Sequence, residues 1–247
     1  MLTTLLRPQA KHGPWSTGCH TRTGKNHTLC QDALKITFEP DGSIAAALAD
    51  GVSGGVRGDI AAESAVDYLC LAPHAHNSAL RCWLAQADST VAQALAQISP
   101  DPGACTAVAL WLNAQGKGWL THIGDCRAYH YSPGKGLAAL TQDHSYLNLK
   151  LEPPIGILPN NPAWMLGLMN APTPKITPLQ IAPGETLILC SDGLHGEISH
   201  TQIEQSLQRG LKQKIPLSRL AESLAQQAVD ADGQDDIAVM LINRHAG

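Results

Sequence analysis

Apolar positions along this chain change period several times, and the changes mark out its elements. Residues 44–49, Ile-Ala-Ala-Ala-Leu-Ala, form an unbroken apolar run that stops at Asp50-Gly51. Such a run predicts a buried strand that ends in a sharp turn. A strand-like stretch from Gln31 to Phe38 precedes it, with Pro40-Asp41-Gly42 as the turn between the two. Beyond Val56 the spacing becomes helical: Ala62, Val66, Leu69 and Cys70 fall at i, i+4, i+7 and i+8, and Pro73 ends the pattern. The next stripe, Leu80, Trp83, Leu84, Ala87, Val91, Ala94, Leu95 and Ile98, predicts one continuous helix.

Strands return after the breaker Ser99-Pro100-Asp101-Pro102-Gly103. Residues 104–112 and 119–123 flank a hairpin loop, and 127–131 and 137–140 flank a second turn at 132–136. Residues 145–182 carry Pro153, Pro154, Pro159, Pro162, Pro172, Pro174 and Pro178, and read as a loop-rich, flap-like insertion. A strand follows at 186–190. Ser199 then caps a helix carrying Ile203 and Leu207, with Gly210 at its C′ position. Leu217, Leu220, Ala221, Leu224 and Ala228 mark a last helix, and 237–242 a last strand. Residues 1–17 are mixed, with room for an early strand, and 18–31 are polar and turn-rich. Strands, two helices, strands again, two helices and a strand lack the regular alternation of a parallel sheet. The order predicts an α+β protein, antiparallel sheets with helices packed outside, in a single domain over about 8–244.

Composition narrows the picture further. The 247 residues suffice for one domain with a full core. Aromatic residues make up 4%, with one Phe, so the core must be aliphatic and rich in alanine. A net charge of −4 leaves no global basic field for nucleic acid or an anionic membrane. Cys19, Cys30, Cys70, Cys82, Cys105, Cys126 and Cys190 are odd in number and show no CxxC spacing, which favours reduced thiols over disulfides or zinc. Neither a signal-peptide core in residues 1–13 nor an apolar run of ~20 residues is present. The expectation is a cytoplasmic monomer with no membrane or nucleic-acid partner.

The candidate chemistry lies at strand ends. Asp50-Gly51 closes one apolar strand, Ser191-Asp192-Gly193 closes another, and Asp235-Asp236 opens the last. Carboxylates so placed, without basic partners nearby in sequence, suggest a hard-metal site. Gln31-Asp32, Gly103-Ala104-Cys105-Thr106-Ala107, Ile123-Gly124-Asp125-Cys126-Arg127-Ala128-Tyr129 and Leu140-Thr141-Gln142-Asp143-His144-Ser145 complete an ordered series. The series resembles the metal-dependent protein phosphatases of type 2C (the PPM family), especially short bacterial members, over roughly residues 15–243.

The resemblance implies a four-layer α-β-β-α sandwich of two antiparallel sheets flanked by helices, with a two-metal centre at one end. It implies hydrolysis of phosphoserine and phosphothreonine with two Mn²⁺ or Mg²⁺ ions. The substrate would be a protein phosphorylated by a bacterial Ser/Thr kinase. Asp50 would bridge the metals, the Gly51 carbonyl would face one, and Asp192 and Asp235 would supply further ligands, with Asp236 as second choice to Asp235. Asp32 would act through metal-bound waters. Asp143, with Asp192, would bind a third, weaker ion. Two such ions can share a water and make hydroxide at neutral pH, so no covalent intermediate is needed.

Two departures from the family pattern matter. An Arg is usual five residues before the first Asp, and here His27 stands there; Arg22 and His20 are the other candidates for the phosphate clamp. A histidine clamp would make recognition sensitive to pH near ~6.5. Val52 stands where eukaryotic members carry a His after Asp-Gly. The missing Arg keeps open a second reading, a non-catalytic signalling or partner-switching module on the same fold. Asp125 and Arg127 are expected to pair in a hairpin, Thr106 to serve packing or backbone hydrogen bonding, and His195, His74 and His76 to be surface residues.

Overall fold

The computed structural model describes residues 9–25, 27–52, 57–72 and 78–245. Residues 53–56, with the Gly54-Gly55 pair of the turn after Asp50, and the residues His74 and His76, lie outside this set.

Two antiparallel sheets form the centre. One is built in the order β1 (Gln9–His12), β2 (Trp15–Arg22), β11 (Ile237–Arg244), β10 (Thr186–Cys190), β7 (Arg127–Ser132) and β8 (Gly136–Ala139). The other runs β3 (Asp32–Phe38), β4 (Ile44–Gly51), β5 (Cys105–Leu112), β6 (Lys117–Ile123) and β9 (Thr177–Gln180). Helices α1 (Gly58–Cys70), α2 (Ser78–Ala85) and α3 (Ala87–Ala96) cover the second sheet. Helices α5 (Asp192–His195), α6 (His200–Lys212) and α7 (Leu217–Ala231) cover the first, and a short α4 (Tyr146–Leu149) lies in the loop-rich segment. The expected four-layer sandwich is the observed one.

Strand alternation explains the layers. On β4, Ile44, Ala46 and Leu48 enter the core between the sheets, while Ala45, Ala47 and Ala49 meet Ala61, Ala62 and Ala65 of α1. Alanine on both sides lets the helix settle close to the sheet, so a core poor in aromatics still packs densely. Each fully buried aliphatic side chain contributes on the order of 1.5–3 kcal/mol.

Four local expectations are corrected. The stripe over 80–98 is two helices, α2 and α3, which meet at Gln86, and Ile98 lies exposed beyond them. Gly210 is inside α6, where a Cβ would sit 2.6 Å from Leu220 of α7; Lys214 takes the left-handed position instead, at φ 54°. Residues 15–22, within a stretch read as mixed and turn-rich, form β2 between β1 and β11. The presumed insertion over 145–182 contains β9, which pairs with β6. Pro178 is tolerated there because β9 is an edge strand. The rest of that segment is anchored: Leu166 pairs with Cys105, and the Asp88 carboxylate accepts the N–H groups of Gly167, Met169 and Ala171 at 2.6, 3.1 and 2.9 Å.

Candidate active site

The register of the second sheet sets Asp32 directly opposite Asp50, and Asp50 opposite Thr106. Leu34, Ile36 and Phe38 of β3 and Leu48 of β4 pack toward the core between the sheets. Period-two alternation therefore delivers Asp32 and Asp50 to the mouth of the same crevice. Gly51 comes next, and a Cβ on it would lie 2.3 Å from the Gly58 carbonyl oxygen, so only glycine lets α1 start against the strand end.

The first sheet contributes from the other side. β10 ends at Cys190, and Ser191 Oγ donates to Asp32 Oδ2 at 2.8 Å while accepting the Ala238 N–H at 2.8 Å. One hydroxyl thus ties both sheets together at the crevice mouth. Asp192 opens the single turn α5, and a Cβ on Gly193 would lie 2.0 Å from the Asp236 carbonyl oxygen. That contact holds Asp192 beside the start of β11.

Asp235 and Asp236 have different tasks. Asp236 is buried, and its carboxylate accepts the N–H groups of Gly24 at 2.8 Å and Gln31 at 2.6 Å. His27 Nδ1 lies 3.0 Å from the same carboxylate and 3.7 Å from Asp235 Oδ1. Asp236 therefore closes the loop that carries His27, whereas the Asp235 side chain is 43% exposed and stands near enough to Asp50 and Asp192 to raise both.

A second tier surrounds Asp125. Arg127 does not pair with Asp125; it forms a bidentate pair with Asp143, both contacts at 2.7 Å. The turn before it is held by His144, whose backbone N–H donates to the Gly124 carbonyl at 2.8 Å and whose Nδ1 accepts the Gly124 N–H at 3.2 Å. His195 Nε2 lies 3.0 Å from the Asp125 carbonyl, an acceptor only, so that nitrogen carries the proton. Burial pushes both histidines down to about 4, which keeps them neutral. Thr106 Oγ1 lies 3.1 Å from Cys126 Sγ and also reaches Asp125. Asp125 itself is buried.

The electrostatics follow from crowding. Burial, then the charges of Asp32, Asp192, Asp125 and Asp235, hold the Asp50 carboxyl well above the usual carboxylate range. Asp32 is raised likewise by burial and by Asp192, offset by the bond from Ser191. Burial and then Asp235 lift Asp192 to about 6, and burial and then Asp192 lift Asp125 to about 7. The Asp50 and Asp192 carboxyls lie close enough to share a proton. Asp32 Oδ1 and Asp192 Oδ1 are buried without a hydrogen-bond partner among the described residues. Orphaned, mutually repelling carboxylate oxygens fit a hard divalent cation, and an oxygen-only donor set suits Mg²⁺ or Mn²⁺ over zinc.

A family model described as protein phosphatase 2C matches residues 20–241. The chain belongs to this family. A serine/threonine phosphatase, stp, of Listeria monocytogenes serotype 4b is 28% identical over 223 residues, covering 80% of this chain and 83% of that protein. The serine/threonine phosphatase of S. agalactiae has the same fold, with a TM-score of 0.77, 21% identity and coverage of 94% of this chain and 100% of the other. The catalytic domain of the serine/threonine phosphatase PstP, in complex with two manganese ions, superposes with a TM-score of 0.75 at 20% identity, covering 94% and 99%.

Within this phosphatase 2C framework, the structure brings Asp32, Asp50, Asp192 and Asp235 together. It does not bring Arg22 and His20 to them. Gly18, His20 and Arg22 lie on the face of β2 turned to α7: Arg22 donates to Gln226 at 2.5 Å, and His20 feels Glu222. Of the three clamp candidates, His27 is the one whose side chain contacts the acidic group. Asp143 is engaged by Arg127, and Asp125, expected to pair with that arginine, stands in the cluster instead. His195 is half-buried rather than superficial. The sequence signal for Asp125 was present in its Gly-Asp turn, but only the fold aims that turn at Asp192.

Proposed function

We propose that this chain is a metal-dependent protein serine/threonine phosphatase, using two divalent cations, Mn²⁺ or Mg²⁺, to cleave phosphoserine and phosphothreonine. The observation that carries this reading is the convergence of Asp32, Asp50, Asp125, Asp192 and Asp235, with two orphaned carboxylate oxygens between them. Asp50, the Gly51 carbonyl, Asp192 and Asp235 would hold the pair of cations. Bound there, they supply a nucleophile from water at neutral pH and neutralise the phosphate. The names of the bacterial relatives support phosphoprotein substrates, and hence a partner kinase.

The chain's own residues shape the reaction. Asp50 rides on a central strand, so it is rigidly placed. Asp32 is oriented through Oδ2 by Ser191, leaving Oδ1 to accept a hydrogen bond from the attacking water. Ser191 cannot serve as a nucleophile, because its hydroxyl both donates and accepts within the fold. Burial raises the Cys126 and Cys190 thiols far above neutrality, so neither supplies a thiolate. His27 is the basic group best placed to meet phosphate. Asp236 serves the loop rather than a metal, and a third ion is assigned to Asp192 with Asp125 instead of Asp143.

The test is Mn²⁺-dependent hydrolysis of p-nitrophenyl phosphate and of a phosphothreonine peptide. Wild type is expected to turn over both, and Asp50→Ala to lose at least about 100-fold. A wild type inert at every metal concentration, or a fully active Asp50→Ala, sinks the enzyme reading in favour of a binding module.

A further inference from the structure

The far pole of the sandwich holds a cavity with no part in this chemistry. It occupies ≈ 810 Å³ between the outer face of the first sheet and the α6–α7 connection. The register fixes its location. Thr186 pairs with Tyr131 and Asn243, and Asn243 with Ser16, whereas Cys190 and the acidic cluster lie at the opposite ends of the same strands. Four residues of strand separate the two levels, about 13 Å.

Three lysines line this cavity, Lys11 from β1, Lys212 at the end of α6 and Lys214 just beyond it. No aspartate or glutamate lines it among the described residues, although the chain carries a net charge of −4. None of the three ammonium groups has a carboxylate partner among the described residues. Lys214 adds an independent sign. It occupies the left-handed position that ends α6, with its N–H bonded to the Leu211 carbonyl and the Ile215 N–H to the Gly210 carbonyl. Glycine is the usual residue there, and a Cβ costs strain. The side chain kept at that cost borders the cavity.

The remaining wall is apolar, from Leu211, Ile215 and Leu217. Helix α7 also begins here: its N-cap is Pro216, which offers no side-chain oxygen, so the positive end of a 15-residue helix faces this side. The volume lies within the range of small-molecule sites, well beyond what a lone phosphate fills.

We propose that this cavity binds an amphipathic small anion, a phosphate or polyphosphate joined to a flat or aliphatic body of nucleotide size. The anion meets the three lysines, and the body lies against the apolar wall. The site is independent of the phosphatase reading.

Calorimetric titration of the metal-free full chain in EDTA tests it, with ATP, inorganic triphosphate and adenosine as probes. ATP is expected to bind saturably, and more tightly than either fragment. Lys214→Gly, which relieves the backbone and should raise Tm, is expected to weaken ATP about tenfold, as is Lys212→Ala. Asp50→Asn, at the other pole, should leave ATP binding unchanged. Absence of saturable ATP binding up to about 1 mM overturns the proposal. So does wild-type affinity in both lysine variants, or inorganic triphosphate binding as tightly as ATP, which would leave the apolar wall without a role.

Discussion

Asp32 and Asp50 face each other across two strands, in a register where like charges repel, and Asp192 touches Asp50 from the other sheet. Such a group costs stability until a cation arrives. Asp50→Asn is therefore expected to raise metal-free stability by about 1–2 kcal/mol in urea unfolding while abolishing turnover. Ser191→Ala acts in the opposite sense. It strips a donor from the buried edge of Asp32 and an acceptor from the Ala238 N–H, costing about 1–3 kcal/mol. Its kcat should fall with KM little changed, since Ser191 orients the residue that aims the water. His27→Ala should instead raise KM for p-nitrophenyl phosphate, with Arg22→Ala and His20→Ala near wild type. Parity of all three in steady-state kinetics would remove His27 from phosphate recognition.

At the scale of elements, the strands carrying the acidic residues were legible, because an apolar run stopping at Asp-Gly is a local signal. β2 was not, since Trp15–Arg22 owes its strand character to β11, whose partner residues lie more than 200 positions away. β9 hid among prolines because an edge strand needs fewer N–H donors. The single turn α5 was equally hidden, although it fixes where Asp192 points. Gly193→Ala should push α5 off the Asp236 backbone and cost about 3 kcal/mol or more, read as a lowered urea midpoint at unchanged slope.

For the whole molecule, the acidic cluster sets the response to pH. A carboxyl raised in the folded state binds more protons folded than unfolded, so its stabilising effect is full below about 3.8 and is lost as pH rises through the folded value. The four raised carboxyls, Asp32, Asp50, Asp125 and Asp192, outnumber the two histidines lowered to about 4, His144 and His195, which act in the opposite sense, so metal-free Tm should fall between pH 4 and about 7. Mn²⁺ competes with those protons, so its stabilising effect should be larger at pH 7.5 than at pH 5. Differential scanning calorimetry of both forms checks this; a metal-free Tm that rises over that interval contradicts the cluster's electrostatics.

The sequence by itself determined the layered α+β architecture and four of the clustered aspartates, because strand ends, turns and apolar periods are written in neighbouring residues. Tertiary structure alone decided the rest: that Asp236 secures a loop, that Arg127 takes Asp143 and leaves Asp125 in the cluster, and that Arg22 and His20 turn toward α7. These choices rest on contacts between residues far apart in the chain and on which face of a strand meets a helix, and no local pattern encodes either.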